Sequence, residues 1–216
     1  MLFLKNINLI KKIVFCLSLA ILSGCFSTTT ATRTKRYYYK PTKTSHAKYK
    51  GHYKIGSKYK VNGRTYKPYK YSRYRKVGVA SWYGSKDGFH GKKTANGDVF
   101  NKHMLTAAHP TLPLPCMVRV TNLKNKKSVI LMVNDRGPFR KNRILDASER
   151  AASMLGYRHH GTARVKVEYL HDETKALLWK LSLPSRHGAR PHAKMKDHRC
   201  SVACYLDRVN RKKARL

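Results

Sequence analysis

A compact, mainly β barrel with one short helix is the fold this sequence predicts, and three observations predict it. Residues 77–171 break into short apolar runs separated by polar turns, and the last run, Ala163 to Leu170, alternates strictly between apolar and charged positions. Only one stretch there, Ser148 to Leu155, carries a full set of helix signals. A doubly wound parallel sheet needs several crossover helices, so strands at this density must close on one another instead. The region ahead is poor core material: the first 86 residues hold 20 of the 47 Lys and Arg and none of the 10 Asp and Glu. Such a segment repels itself and has few aliphatic groups to bury.

At the N-terminus, Lys5, Lys11 and Lys12 precede the apolar run Ile13 to Leu22. The run is too short to span a bilayer and has the length of a signal-peptide core. It ends in Leu22-Ser23-Gly24-Cys25. Small residues before a cysteine at that place look like a bacterial lipobox, which makes 1–24 a lipoprotein-type signal peptide and Cys25 the lipidated residue. Phe26 follows where an aspartate would favour the inner membrane, so the expected place is the cell envelope, anchored to the outer membrane and facing the periplasm. Residues 25–47, rich in Ser, Thr, Lys and Tyr, read as a flexible tether from that anchor.

Residues 48–76 interleave tyrosine with lysine and arginine, and ten of the 14 tyrosines fall between Tyr37 and Tyr74. The Asn62-Gly63 pair inside KYKVNGRTYKP predicts a hairpin, too small to be stable alone and so laid against the barrel. This basic, Tyr-rich lead-in suits an anionic envelope polymer or anionic lipid headgroups, or reads as a solvated linker; export argues against nucleic acid as its partner.

Val77 to Gly84 opens the barrel as a strand, and a polar, glycine-rich stretch from Ser85 to Gly97 follows. Met104 to Ala108 and Met117 to Val120 are short apolar elements, and Leu123 to Lys127 is a basic turn. Val129 to Val133 reads as a buried strand by its β-branched and long apolar content. It ends in Asn134, Asp135 and Arg136 before Gly137-Pro138, which puts an acid on a rigid strand end where it can be aimed. An Asx-turn or an ion pair with Arg136 is the structural alternative. After Ile144-Leu145, Ser148 caps the helix, Glu149 lies in its first turn and Gly156 closes it.

In 172–216, Glu173 to Leu183 suits a short helix that packs Leu177, Leu178, Trp179 and Leu181 on the barrel, and the rest reads as a basic, polar tail. Cys200 pairs most economically with Cys204, and a Cys116 staple from tail to core is the alternative. The C-x₃-C lacks a second ligand pair, so no metal and no cofactor are expected.

Three polar runs hold the groups able to do chemistry: GKKTANGD at Gly91 to Asp98, after Phe89-His90; LTAAHPTLP at Leu105 to Pro113; and NDRGPF at Asn134 to Phe139, followed by RILDAS at Arg143 to Ser148. With SWYG at Ser81 to Gly84 and the lead-in pattern from Tyr53 to Pro68, the chain resembles the rare lipoprotein A (RlpA-like) septal ring lytic transglycosylases over residues 53–170. The resemblance implies a six-stranded double-psi β-barrel. It also implies a lyase that cuts peptide-poor peptidoglycan strands between N-acetylmuramic acid and N-acetylglucosamine, leaving 1,6-anhydro ends. One acid can serve that chemistry, first giving a proton to the leaving oxygen and then taking one from the C6 hydroxyl. No nucleophilic second carboxylate is needed, unlike in retaining hydrolases.

Carried over residue by residue, Asp135 is the general acid, and His109 orients the hydroxyl or relays its proton. Asp98 is the third implied catalytic position; it stands where the family usually has glutamate and is one methylene shorter. Thr94, Asn96, Asn134 and Arg136 are implied sugar or carboxylate contacts. Trp82 and Tyr83 either stack on a pyranose or belong to the core, and Asp146 supports the barrel through Arg143. Two other readings stay open: a non-catalytic, glycan-binding envelope lipoprotein using the same groove, and a hydrolase that adds water. The C-terminal peptidoglycan-binding repeat common in this family has no counterpart in residues 171–216.

Overall fold

The computed structural model describes residues 49–84, 87–181 and 201–213. The expected signal peptide, Cys25, the whole of the tether and Cys200 lie outside them. Eight strands follow in order: β1 (Tyr59–Val61), β2 (Arg64–Tyr66), β3 (Arg75–Tyr83), β4 (Thr106–Ala108), β5 (Cys116–Asn122), β6 (Ser128–Asp135), β7 (Arg143–Ser148) and β8 (Ala163–Tyr169). The last six close into a barrel in the order β3-β7-β4-β6-β5-β8. Two neighbouring pairs, β3 with β7 and β4 with β6, are parallel, and the others are antiparallel. This mixed barrel is the double-psi type that the resemblance implies.

The alternation read in Ala163 to Leu170 puts Val165 and Val167 wholly inside, each burial contributing about 1.5–3 kcal/mol. β6 is buried from Val129 to Asn134. It can be apolar on both faces because helices cover it from outside. Helix α1 (Glu149–Leu155) has the expected caps: Ser148 Oγ accepts from the Ala151 N–H, and Gly156 takes the left-handed conformation at φ 78°. A Cβ on Gly156 would come within 2.7 Å of Asn125 Nδ2, so both backbone and space call for glycine there. Helix α2 (His171–Lys180) buries Leu177 and Leu178 as expected, while Leu181 is partly buried.

The C-terminal tail corrects the sequence reading. Residues Val202–Lys213 form helix α3, packed on β6, with Val202, Tyr205 and Leu206 in the core and Val209 against it. Those positions have i, i+3, i+4, i+7 spacing, a pattern diluted by the basic residues around it. Arg150 and Asp207 form an ion pair at 3.0 Å, with side chains only 10% and 9% exposed. Asn210 Oδ1 accepts from the Ile130 N–H at 2.7 Å and Nδ2 donates to Ile130 O at 2.9 Å, capping a stretch of β6 that short β4 leaves uncovered. Asn210→Ala leaves both backbone groups unpaired and is expected to cost about 2 kcal/mol, read as a lower urea midpoint at unchanged slope. Of the two cysteine arrangements, the Cys116 staple is not formed, because Cys116 is free and buried, while Cys204 is disulfide-bonded.

The lead-in packs against the barrel. Asn62 and Gly63 both take positive φ, 49° and 75°, as a type I′ hairpin turn requires. Tyr59 and Tyr66 stack across the hairpin at 5.3 Å, and Phe139 sets its edge against both. Tyr59 OH donates to Pro110 O at 2.7 Å, and Lys54 pairs with Leu114 through both backbone bonds. The linker reading therefore fails for this stretch.

Candidate active site

Asn134 and Asp135 end β6 beside the loop Thr94 to Asp98. That loop is a tight turn in which Gly97 N–H donates to Thr94 O, with Gly97 at φ +84°. Two of its polar side chains brace it: Thr94 Oγ1 donates to Asn96 Oδ1 at 2.9 Å, and Asn96 Nδ2 donates to Tyr49 OH at 2.6 Å. Both residues are buried, so in this structure they shape the loop.

The loop returns its backbone to the acid. Ala95 N–H and Arg136 N–H each donate to Asp135 Oδ1 at 2.8 Å. Both bonds fall on one oxygen, which leaves Oδ2 to hold a proton and present it. Burial pushes the Asp135 carboxyl above its ordinary pKa, against the pull of those N–H groups and of the Arg136 and Lys54 charges. Asp98 is 7% exposed; its Oδ2 accepts from Asn134 Nδ2 at 3.1 Å and its Oδ1 from Lys50 N–H at a long 3.4 Å. Burial raises this carboxyl too. Asn134, 1% exposed, therefore bonds Asp98 and lies back from the surface.

His109 stands on the next strand end, and its N–H donates to Asp135 O at 3.0 Å. Its ring, however, has other partners. Nδ1 accepts from the N–H groups of Thr111 and Leu112 at 3.2 and 3.1 Å, and Nε2 lies 2.9 Å from Tyr74 OH. Nδ1 thus carries no hydrogen, and the neutral ring donates from Nε2 to the tyrosine. Burial, with the Arg136 and Lys76 charges, lowers its pKa to about 3, and the residue is 2% exposed. Arg136, expected at the glycan, donates instead to three carbonyls: His109 O at 3.2 Å, Leu112 O at 2.6 Å and Ile55 O at 2.6 Å.

Trp82 donates its ring N–H to Arg158 O at 3.0 Å and lies under the Arg158 guanidinium. Tyr83 stacks on Phe100 at 4.2 Å, and its hydroxyl is buried without a hydrogen-bond partner. Burial and the carboxylates of Asp135, Asp146 and Asp87 push that phenol well up. Asp146 bonds Arg143 at 3.1 Å as expected, and burial raises its pKa to about 6. Sequence reasoning missed Lys50 and Tyr74 as supports of the site; both sit in the basic lead-in, where nothing in the pattern sets one tyrosine or lysine apart from the next.

A family model described as "Lytic transglycolase" matches residues 75–167. Among curated proteins, the chain is 48% identical to the endolytic peptidoglycan transglycosylase RlpA of Rickettsia felis, over 96% of this chain and 95% of that one. It is 46% identical to the protein of the same name from Rickettsia bellii, over 96% of each. A third, from Pseudomonas aeruginosa, is 60% identical over 51% of this chain and 32% of its own length.

Proposed function

Because this chain belongs to the RlpA family of endolytic peptidoglycan transglycosylases, we propose that it cleaves peptide-poor glycan strands between N-acetylmuramic acid and N-acetylglucosamine. Neutral Asp135 gives its proton to the glycosidic oxygen as the C1–O bond breaks. The C6 hydroxyl of the same sugar then bonds to C1, its proton passes to the Asp135 carboxylate, and a 1,6-anhydro end results. The observation that carries this reading is the half-buried Asp135, fixed through Oδ1 alone and raised in pKa by its surroundings. His109 acts as a positioning residue: its ring holds the turn from which its own carbonyl receives Arg136. A lipid on Cys25 holds the protein at the outer membrane, and exposed lysines of the lead-in meet anionic envelope polymers.

The test is to incubate the full chain with peptide-free strands and weigh the new ends. Anhydro ends support the proposal. Ends heavier by one water identify a hydrolase, and intact strands that sediment with the protein identify a binding protein. Sealed Asp98, shorter than the usual glutamate, is the observation favouring the binding reading. Asp98→Glu is expected to hold or raise turnover, since the long Lys50 contact leaves slack for one methylene; a fall of more than about tenfold would mean that the shorter acid is fitted to its place.

A further inference from the structure

Among the described residues, four large apolar side chains stand exposed: Tyr69, Val77, Phe89 and Val99. Phe89 is 51% exposed, yet its loop is pinned from several sides. Its N–H donates to Asp87 Oδ1 at 3.2 Å, and its carbonyl accepts from Lys92 N–H at 3.0 Å. Gly91 N–H reaches Phe100 O at 2.9 Å, and Phe100 N–H reaches Lys92 O at 2.8 Å. A phenylalanine held half in water by an ordered loop leaves much of its ring open to a partner.

Its neighbours say which. Phe89 sets its ring against Tyr83 at 6.0 Å and 79°, and Tyr83 stacks on Phe100, so a row of three rings runs from the core to the surface. The Tyr83 hydroxyl feels the Asp135 carboxylate, so the middle ring of the row lies near the proposed acid. Lys92 Nζ lies 5.8 Å from the Phe89 ring centre. Lys92 is exposed and makes no ion pair among the described residues. The nearest acid in sequence, Asp87, is committed to the N–H groups of Gly84 and Phe89.

We propose that Phe89 and Lys92 form a subsite for a pyranose that carries a carboxylate, the apolar face of the sugar lying on the ring and its carboxylate meeting the ammonium. The chemistry matches on both counts. A pyranose presents a face of C–H groups that packs on an aromatic ring, and an exposed cation beside that ring selects a charged over a neutral sugar. The inference rests on the proposed glycan substrate and adds the sugar that is read: the one bearing a free acid.

The experiment measures binding of the full chain, in the Asp135→Asn background so that strands stay whole, to peptide-free peptidoglycan strands and to the same strands with their carboxyls methyl-esterified. Phe89→Ala should weaken both by about tenfold, and Phe89→Tyr should restore them. Lys92→Met should weaken only the acidic strands, by about threefold, and the loss should vanish in high salt. Unchanged affinity in Phe89→Ala, equal losses on both strands in Lys92→Met, or no binding of either strand by the background chain overturns the subsite. If this pattern holds while the unaltered chain releases no cleaved ends, the transglycosylase reading falls and the subsite stands. Cleavage with unaltered affinities in both variants removes the subsite alone.

Discussion

Asp135→Asn is expected to reduce strand cleavage by about 10³-fold while leaving the fold intact. The amide keeps an oxygen for the Ala95 and Arg136 N–H groups, so the strand end stays in place. What it loses is the acidic proton on the other atom of the fork. Thermal melting should agree with that of the unaltered chain to within a few degrees, separating chemistry from folding. In the unaltered chain, a raised acid must be protonated to act, so turnover falls as pH rises through its folded pKa. Retention of more than a tenth of the activity in Asp135→Asn would move the proton donor elsewhere.

The second large effect concerns stability and pH at His109. Its folded pKa is lowered from 6.5 to about 3, so the unfolded chain takes up a proton first as pH falls. The ring's contribution is therefore complete above pH 6.5 and is lost progressively below it, until the folded ring titrates near pH 3. Between pH 7 and pH 4 the loss is about 3 kcal/mol. Carboxylates with raised folded pKa values, such as Asp135, Asp98 and Asp146, act in the opposite direction, and only a difference between variants isolates the ring. His109→Asn should lower stability at pH 7 by about 2–3 kcal/mol, because Thr111, Leu112 and Tyr74 lose a partner shaped for them. At pH 4 the gap to the unaltered chain should close. A gap of the same size at both pH values in urea titrations would show that the imidazole is not held neutral.

Local signals were the legible ones. Asn62-Gly63, Ser148 with Gly156, and the apolar run ahead of Asp135 each determine their element by the conformation or burial of a few neighbours. The direction of the His109 ring could not be read, because it depends on Tyr74, 35 residues earlier, and on a parallel pairing of β4 with β6. Arg136 misled through adjacency: next to Asp135, it suggests a partner for the acid or for a ligand. Its long side chain finds three carbonyls, and one of them, on Ile55, lies 81 residues away. Helix α3 was hidden by composition, since its apolar positions run into Arg208, Arg211 and Lys212, which are exposed.

Four residues around the acid each reach back beyond Arg75, where the family match begins: Asp98 to Lys50, Asn96 to Tyr49, His109 to Tyr74 and Arg136 to Ile55. The boundary of the working unit is therefore set by hydrogen bonding and falls at or before Tyr49. A protein trimmed to the matched segment would keep the barrel strands apart from the last two residues of β8, yet it would present its centre with four severed supports.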